Sequence, residues 1–126
     1  IAALWGKLIV NCAYNALSAL TQLPYGRLLR SEGVEAVMTD VVAEAVAVAS
    51  ASCVSVAPDI LASVLGLAAT MPQQTSSTAQ DLAKGKHTEI DHLNGFVIRR
   101  GAALGIPTPA NRVLHTLVKA AEARLG

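Results

Sequence analysis

Apolar residues recur every three or four positions along most of the chain, which is the spacing of helices with one buried face. The pattern is clearest between residues 34 and 52, where the apolar positions are Val34, Val37, Met38, Val41, Val42, Ala45, Val46 and Val48. No segment alternates apolar and polar residues over enough positions to build a sheet. The pattern therefore predicts an all-α domain of about six helices with short connections.

Turn residues divide the first half of the chain into helices. A first helix is predicted over residues 3–22, ending before a Pro-Gly turn at residues 23–26. Residues 27–30 form a connector of one helical turn at most, and a second long helix follows over residues 34–52. Its many valines leave open a strand at residues 54–56.

The third helix is predicted to open at Pro58 and to end near Thr70. Ser77 and Thr78 each precede a Gln or an Asp by three residues, the spacing of a capping box. They predict a short helix that stops at Gly85.

A further capping box, Thr88 with Asp91, predicts a helix that runs to Leu104. Thr108 and Pro109 then predict the start of a last helix over residues 109–124. The core positions expected in these two helices are Ile90, Leu93, Val97, Ile98, Val113, Leu114, Leu117 and Val118.

Composition excludes several classes of partner. The 126 residues carry a net charge of +1 with no basic or acidic run, and only 3% are aromatic, so we expect no nucleic-acid partner. Two long uncharged stretches are interrupted by amides and prolines, so we expect no membrane span. Cys12 and Cys53 lie far apart in apolar surroundings, which favours two reduced core thiols in a cytoplasmic protein over a disulfide.

A polar stripe interrupts the apolar first helix. Lys7, Asn11 and Asn15 are four residues apart and therefore lie along one side of it. An ammonium and two amides on an otherwise apolar helix need polar partners, and we interpret this stripe as the wall of a binding site. Burial there would lower the pKa of Lys7, as suits a proton donor, whereas a lysine whose amine reaches solvent is the simpler alternative.

Two further residues are candidates for ligand contact. Ser77 and Glu89 lie where helices are predicted to begin, so each is either a simple helix-start residue or part of a site that uses the helix start. His87 and Asp91 are four residues apart, a spacing that permits a metal site, and His87-x-Glu89 is a motif that occurs in zinc deaminases. The cysteine pair that completes the zinc site of those enzymes is absent here, so we expect no metal. His115 is expected to be a surface or half-buried helix residue.

Several motifs together resemble the C-terminal domain of the ketopantoate reductase (2-dehydropantoate 2-reductase) family, over essentially the whole chain. They are Trp5-x-Lys7-x3-Asn11-x3-Asn15-x-Leu17-x-Ala19-Leu20, Gln80-Asp81, Lys86-His87-Thr88-Glu89-Ile90-Asp91-x2-Asn94-Gly95 and Gly105-Ile106-Pro107-x-Pro109-x-Asn111.

The resemblance implies a helical bundle like the C-terminal domain of 6-phosphogluconate dehydrogenase. Residues 1–126 would be the substrate-binding domain of an enzyme whose N-terminal, NADPH-binding Rossmann domain is absent from this chain. The implied reaction reduces a 2-oxo acid, ketopantoate, to pantoate on the route to pantothenate. By motif, Lys7 matches the general acid and Glu89 the acid that orients it, while Asn11, Asn15 and Ser77 match substrate-binding residues.

One departure and two alternatives accompany the resemblance. Tyr25 stands before Gly26 where some members of the family have an asparagine, so substrate contacts from this turn are in doubt and another 2-oxo acid stays open. A non-enzymatic helical module for oligomerisation is the second alternative. A homodimer is also compatible with the sequence.

Overall fold

A computed structural model describes residues 1–124, and within them every regular element is helical. The strand considered at residues 54–56 does not form, and the predicted all-α class is confirmed. The described residues contain seven α-helices and one 3-10 turn at Ile90–His92: α1 Ala2–Thr21, α2 Tyr25–Leu29, α3 Val34–Ala51, α4 Ile60–Thr70, α5 Ser77–Ala83, α6 Asn94–Leu104 and α7 Pro109–Ala123.

The first helix is the centre of the fold. α1 packs against α3, α5 and α7. Its core-facing side includes Ile9, Cys12, Ala13 and Ala16, all with no exposed surface. Small side chains on this face allow neighbouring helices to approach closely. The central position of α1 gives the polar stripe on its other side a rigid support.

The start of α5 differs from the prediction. Ser76, not Ser77 or Thr78, caps the helix, because its hydroxyl accepts a hydrogen bond of 3.0 Å from the Ala79 amide. The Ser76 amide in turn donates to the Ser18 hydroxyl of α1, at 3.1 Å. Several serines and threonines could cap this helix, and the contact with α1 selects one of them.

The single helix predicted from Thr88 to Leu104 is wrong. A 3-10 turn comes first, Leu93 then leaves helical geometry with φ −108° and ψ −103°, and α6 begins at Asn94. Asn94 is fully buried, and its side-chain nitrogen Nδ2 donates to the backbone carbonyl oxygen of Cys12 at 3.2 Å. Side-chain contacts with other helices therefore favour a break that the local sequence does not indicate.

The inward face predicted for α7 is half wrong. Leu114 and Val118 are buried as predicted, but Val113 and Leu117 are 57% and 47% exposed. The buried stripe of α7 instead continues through two polar residues, Asn111 at one end and Glu122 at the other. A search for apolar periodicity passes over polar residues that face the core.

A carboxylate from α3 caps α7. Thr108 occupies the N-cap position but makes no side-chain cap hydrogen bond. Glu44 supplies the acceptors, taking hydrogen bonds from the amides of Ala110 at 2.9 Å and Asn111 at 3.0 Å. A negative charge is favourable at a helix N-terminus, so Glu44 ties α3 to α7.

The two cysteines have different environments. Cys12 is buried as predicted, and burial raises the pKa of its thiol. Cys53 is exposed, in a left-handed conformation with φ 63°, so its placement in the core was wrong. Both thiols are free. No helix within residues 1–124 is long and apolar enough to cross a membrane.

Candidate functional site

The polar stripe of α1 passes from solvent into the domain. The Lys7 side chain is exposed, Asn11 is half-buried, and Asn15 retains only 7% of its surface. The burial expected for Lys7 is therefore not provided by residues 1–124. We call this stripe of Lys7, Asn11 and Asn15 the polar wall of α1. The Lys7 amine at one end is open to a ligand, whereas Asn15 at the other end is buried.

Asn15 is anchored to the start of α5. Its amide nitrogen donates to the Thr78 hydroxyl at 3.2 Å, and its backbone carbonyl accepts from the Ser76 hydroxyl at 3.4 Å. Ser77 lies between these two partners in sequence and is exposed. The structure thus brings Ser77 to the Asn15 end of the stripe, as the first residue of α5 and not as its cap.

Glu89 lies on a different segment. It is exposed and precedes the 3-10 turn, where its backbone carbonyl accepts a hydrogen bond of 2.8 Å from the His92 amide. Within the described part of the chain, no ion pair or hydrogen bond joins Glu89 to Lys7. The structure therefore places Glu89 on the surface of the described chain, with no hydrogen bond or ion pair to the other candidate catalytic group.

The segment that carries Glu89 is fixed to α7 by a residue that the sequence analysis missed. The Glu122 carboxylate is only 4% exposed and accepts hydrogen bonds from the Thr88 amide, at 2.9 Å, and from the Thr88 hydroxyl. Burial raises the pKa of Glu122, but the bonds from Thr88 and Lys119 outweigh it, so the pKa lies below its usual value. An acidic residue on the apolar stripe of the last helix was the available signal.

A second carboxylate of the same segment also meets α7. Asp91 binds His115 at 2.7 Å and the Lys119 amine at 3.2 Å, and these hydrogen bonds lower the pKa of Asp91. Lys119 lies 3.3 Å from Glu122 as well, so it bridges the two carboxylates. His87, the other half of the rejected metal pair, faces Glu122 at 3.6 Å and not Asp91.

No group of three or more His, Cys, Asp or Glu side chains in residues 1–124 is arranged to hold a metal ion.

An apolar groove flanks the exposed end of the stripe. It lies between the start of α1, the 3-10 turn and α6, with Trp5 and Phe96 in aromatic contact at a centroid distance of 5.7 Å. Leu4 is 70% exposed and lies on the same side of α1 as Asn11. The groove residues are Ile1, Leu4, Trp5, Leu8, His92 and Phe96.

Tyr25, whose place in the turn raised doubt about substrate contacts, is a core residue. It is 6% exposed, and its ring lies 4.3 Å from that of Tyr14, centroid to centroid. Its amide donates to the Gln74 carbonyl at 2.9 Å. A side chain held in this way faces the interior and does not reach the open wall of α1.

A buried amide network beneath the stripe was also missed. The Asn94 side-chain amide donates to the side-chain oxygen Oδ1 of Asn111 at 2.9 Å. The Asn111 side-chain amide donates to the Glu44 carboxylate at 2.9 Å and to the Val41 backbone carbonyl at 3.3 Å. These bonds join α1, α3, α6 and α7 around a fully buried polar centre. Both asparagines belong to the motifs of the resemblance, and their role here is to hold the bundle together.

Comparison with known proteins gives consistent matches. A family model described as "Ketopantoate reductase PanE/ApbA C terminal" matches residues 1–122. The 2-dehydropantoate 2-reductase of Pyrobaculum aerophilum is 41% identical over 118 residues, which cover 94% of this chain and 42% of that protein. That of Caulobacter vibrioides is also 41% identical, over 93% of this chain and 40% of its own length. The chain thus spans about two fifths of the length of these curated relatives.

Two solved structures are similar over nearly the whole chain. The crystal structure of a PanE/ApbA family ketopantoate reductase from Ralstonia eutropha JMP134 has 64% identity and a TM-score of 0.96, over 98% of this chain and 42% of that one. A ternary structure of D-mandelate dehydrogenase with NADH and anilino(oxo)acetate has 27% identity and a TM-score of 0.92, over 98% of this chain and 52% of that one.

Proposed function

Because the chain belongs to the ketopantoate reductase family, as its C-terminal domain, we propose that it is the substrate-binding domain of an NADPH-dependent reductase that converts ketopantoate to pantoate in pantothenate biosynthesis. The observation that carries this proposal is the polar wall of α1, where an exposed lysine and two amides lie along one side of a rigid helix. The wall has the composition that a 2-oxo acid requires: a cation, hydrogen-bond donors and an adjacent apolar groove.

The nucleotide site belongs to another part of the enzyme in this proposal. The chain has no glycine-rich dinucleotide turn, and residues 1–124 form no sheet that could present one. The residues present therefore do not fit a dinucleotide, and we place NADPH on an N-terminal Rossmann domain that accompanies this one. The similar D-mandelate dehydrogenase structure contains NADH, which supports a nicotinamide cofactor as the hydride source.

Lys7 is the proposed general acid. Reduction of the ketone carbon leaves an alkoxide oxygen, which an adjacent ammonium both stabilises and protonates. Lys7 is open to solvent on this domain. Its desolvation would come from substrate and from a second domain closing over the wall, which would favour proton transfer at that stage.

The amides and the serine are proposed to orient the substrate. An amide group has two N–H donors and an acceptor, so the bond from Asn15 to Thr78 leaves further hydrogen-bonding capacity for a ligand. Asn11 lies one turn closer to Lys7, and Ser77 lies beyond Asn15. Asn11 and Asn15 would bind the oxo acid and Ser77 its carboxylate, while Glu89 would orient Lys7 and the ligand hydroxyls.

Two alternatives keep the fold and change the function. Similarity to D-mandelate dehydrogenase supports a reductase that acts on a different 2-oxo acid. Val113 and Leu117 on the outer face of α7 are exposed and would suit contact with a second copy, so a homodimer or a purely oligomerising module is the other alternative. The proposed location of the enzyme is the cytoplasm.

Lys7→Ala in the full-length natural enzyme tests the proposal. We expect kcat with ketopantoate and NADPH to fall roughly 100- to 10,000-fold, because general acid catalysis contributes about this factor. The assay follows oxidation of the cofactor by absorbance. Lys84→Ala is the matched control, since Lys84 is an exposed lysine at the end of α5, away from the wall.

The outcomes separate the alternatives. Turnover of ketopantoate that is lost in Lys7→Ala and kept in Lys84→Ala supports the proposed activity. Turnover of benzoylformate and not of ketopantoate would change the assigned substrate but keep the proposed mechanism. A folded enzyme that binds NADPH and reduces none of a panel of 2-oxo acids would contradict the reductase assignment.

A further inference from the structure

The peptide segment that carries Glu89 is held from both sides by one helix. On one side the Thr88 amide and hydroxyl donate to Glu122, and on the other Asp91 binds His115 and Lys119. All three partners belong to α7. The Glu89 side chain is exposed between these two anchor points. The side-chain anchors on both sides of Glu89 therefore come from α7, while the 3-10 turn and a hydrogen bond from Arg99 of α6 to the Asp91 carbonyl also hold the segment.

Glu122 is an unusual residue at its position. It lies on the buried stripe of α7, one turn beyond Val118, with 4% of its surface exposed. A buried carboxylate is unfavourable unless hydrogen bonds and opposite charges compensate for lost hydration. Here they do: Thr88 supplies two donors and Lys119 a cation. An apolar side chain at this position would fill the buried face of α7 without the cost of burying a charge. The carboxylate differs from such a side chain in that it holds Thr88.

We propose that Glu122 is a positioning residue for the reductase reaction: its carboxylate, bound to Thr88, fixes the surface segment from which Glu89 would orient Lys7 once the substrate and a second domain complete the site. The inference rests on the proposed function and adds to it a residue from outside the polar wall. Within residues 1–124 the polar partners of Glu122 are Thr88, His87 and Lys119, and none of them belongs to the polar wall of α1. It acts through the backbone of its neighbour in space.

Geometry explains why one buried carboxylate has this effect. Thr88 is bonded directly to Glu89, so a displacement of the Thr88 amide displaces Glu89 with it. A misplacement of about 1 Å at a catalytic group can reduce the rate roughly 100-fold. Lys119 forms ion pairs with both Glu122 and Asp91. The contact of Thr88 with Glu122 and the contacts of Asp91 with α7 are therefore linked through one lysine.

The test uses the full-length natural enzyme and four single variants. In Glu122→Ala we expect kcat to fall about 10- to 100-fold while KM for NADPH stays within about twofold. Glu122→Gln keeps a carbonyl acceptor for Thr88 and should restore most of the lost kcat. Thr88→Val removes only the hydroxyl donor and should give a smaller loss. Glu44→Ala is the matched control, because Glu44 is likewise a carboxylate that accepts hydrogen bonds from another segment: it binds two backbone amides at the start of α7, the end opposite to Glu122.

A double-mutant cycle distinguishes positioning from general stability. If Glu122 acts through Glu89, adding Glu122→Ala to Glu89→Gln should change kcat by less than about twofold, because the effects of coupled residues are not additive. Glu44→Ala should lower the melting temperature and leave kcat unchanged, with or without Glu89→Gln. If Glu122 only stabilised the fold, Glu122→Ala would likewise lower the melting temperature and leave kcat unchanged in both backgrounds.

The outcomes distinguish a positioning role of Glu122 from a purely structural one. An unchanged kcat in Glu122→Ala, or an equal loss in the Glu89→Gln background, overturns the positioning role while wild-type turnover keeps the proposed function. Absence of wild-type turnover with every 2-oxo acid overturns the function and the inference together. If Glu122→Ala does not fold, Glu122→Gln and Thr88→Val are compared in the same cycle.

Discussion

Carboxylates that face backbone and side-chain donors are the most informative single residues of this domain. Glu44 accepts the first amides of α7, Glu122 accepts the Thr88 amide, and Asp91 binds His115 and Lys119. Charge-assisted bonds of this kind are stronger than neutral ones. Each connects elements distant in sequence, so these acids determine how the helices meet.

Acid should destabilise the domain through two of these residues. The pKa values of Asp91 and Glu122 are lowered from their ordinary values of 3.8 and 4.5. A carboxyl group whose pKa is lower in the folded state stabilises the fold above its unfolded pKa, and this contribution is lost as pH falls through the folded pKa. We expect the free energy of unfolding to decrease below about pH 4.5.

Urea denaturation at a series of pH values measures this dependence. Asp91→Asn and Glu122→Gln should each be less stable than the wild type near neutral pH, with a smaller decrease on acidification. An acid dependence equal to that of the wild type in both variants would contradict the assignment. The pH dependence expected from Lys119 has the opposite sign. Because its pKa is raised in the folded state, its contribution to stability is present below pH 10.5 and is lost as the pH rises further.

Helix ends in this fold are decided partly by local residues and partly by neighbours. Gly105 ends α6 in a left-handed conformation with φ 74°, as its position after Leu104 predicts. Four residues earlier, Gly101 has a different purpose. A Cβ there would lie 2.8 Å from the Ile106 carbonyl oxygen and 2.9 Å from a methyl carbon of Thr108. The turn after α6 folds back against this glycine.

Gly101→Ala and Gly66→Ala form a matched pair of helix-interior substitutions. The first should destabilise the fold by about 1 to 3 kcal/mol, because the new methyl group meets backbone that cannot move aside. The second should stabilise it by about 0.5 to 1 kcal/mol, because within residues 1–124 the added Cβ meets no atom closer than 4 Å outside the adjacent backbone of its own helix, and alanine favours a helix. Urea denaturation of both variants measures these differences; equal effects would contradict this account of the close approach.

The same distinction explains which element predictions succeeded. The start of α3 after Gly33 and the end of α6 at Gly105 follow from turn residues, and the structure confirms both. The cap of α5 and the break at Leu93 depend on Ser18, Cys12 and Asn111, which lie far away in sequence. Local propensity carries no information about such partners.

In the folded domain, one side of α1 is packed against other helices and the other side is open. The packed side meets α3 and α7, while the open side presents Lys7, Asn11 and the apolar groove that begins at Leu4. An apolar groove beside a polar wall is typical of a surface that a ligand or another domain covers. This arrangement fits a domain that contributes half of a cleft.

The isolated chain should therefore fold without catalysing the reaction. We expect a helical circular dichroism spectrum and cooperative unfolding, together with no oxidation of NADPH in the presence of ketopantoate. The physical reason is that residues 1–124 offer no dinucleotide fold. The full-length natural enzyme at equal concentration is the positive control, and turnover by the isolated chain would contradict the proposed division of labour between domains.

Periodicity and turn residues act between near neighbours, so the helical class, most helix boundaries and the polar stripe of Lys7, Asn11 and Asn15 could be predicted from the sequence. The packing of the helices, in contrast, is what exposes Val113, Leu117 and Lys7. It is also what buries Tyr25 and Glu122. Whether a side chain is buried depends on which helices surround it. That information arises from contacts between distant segments, and it also determines which polar residues support the site.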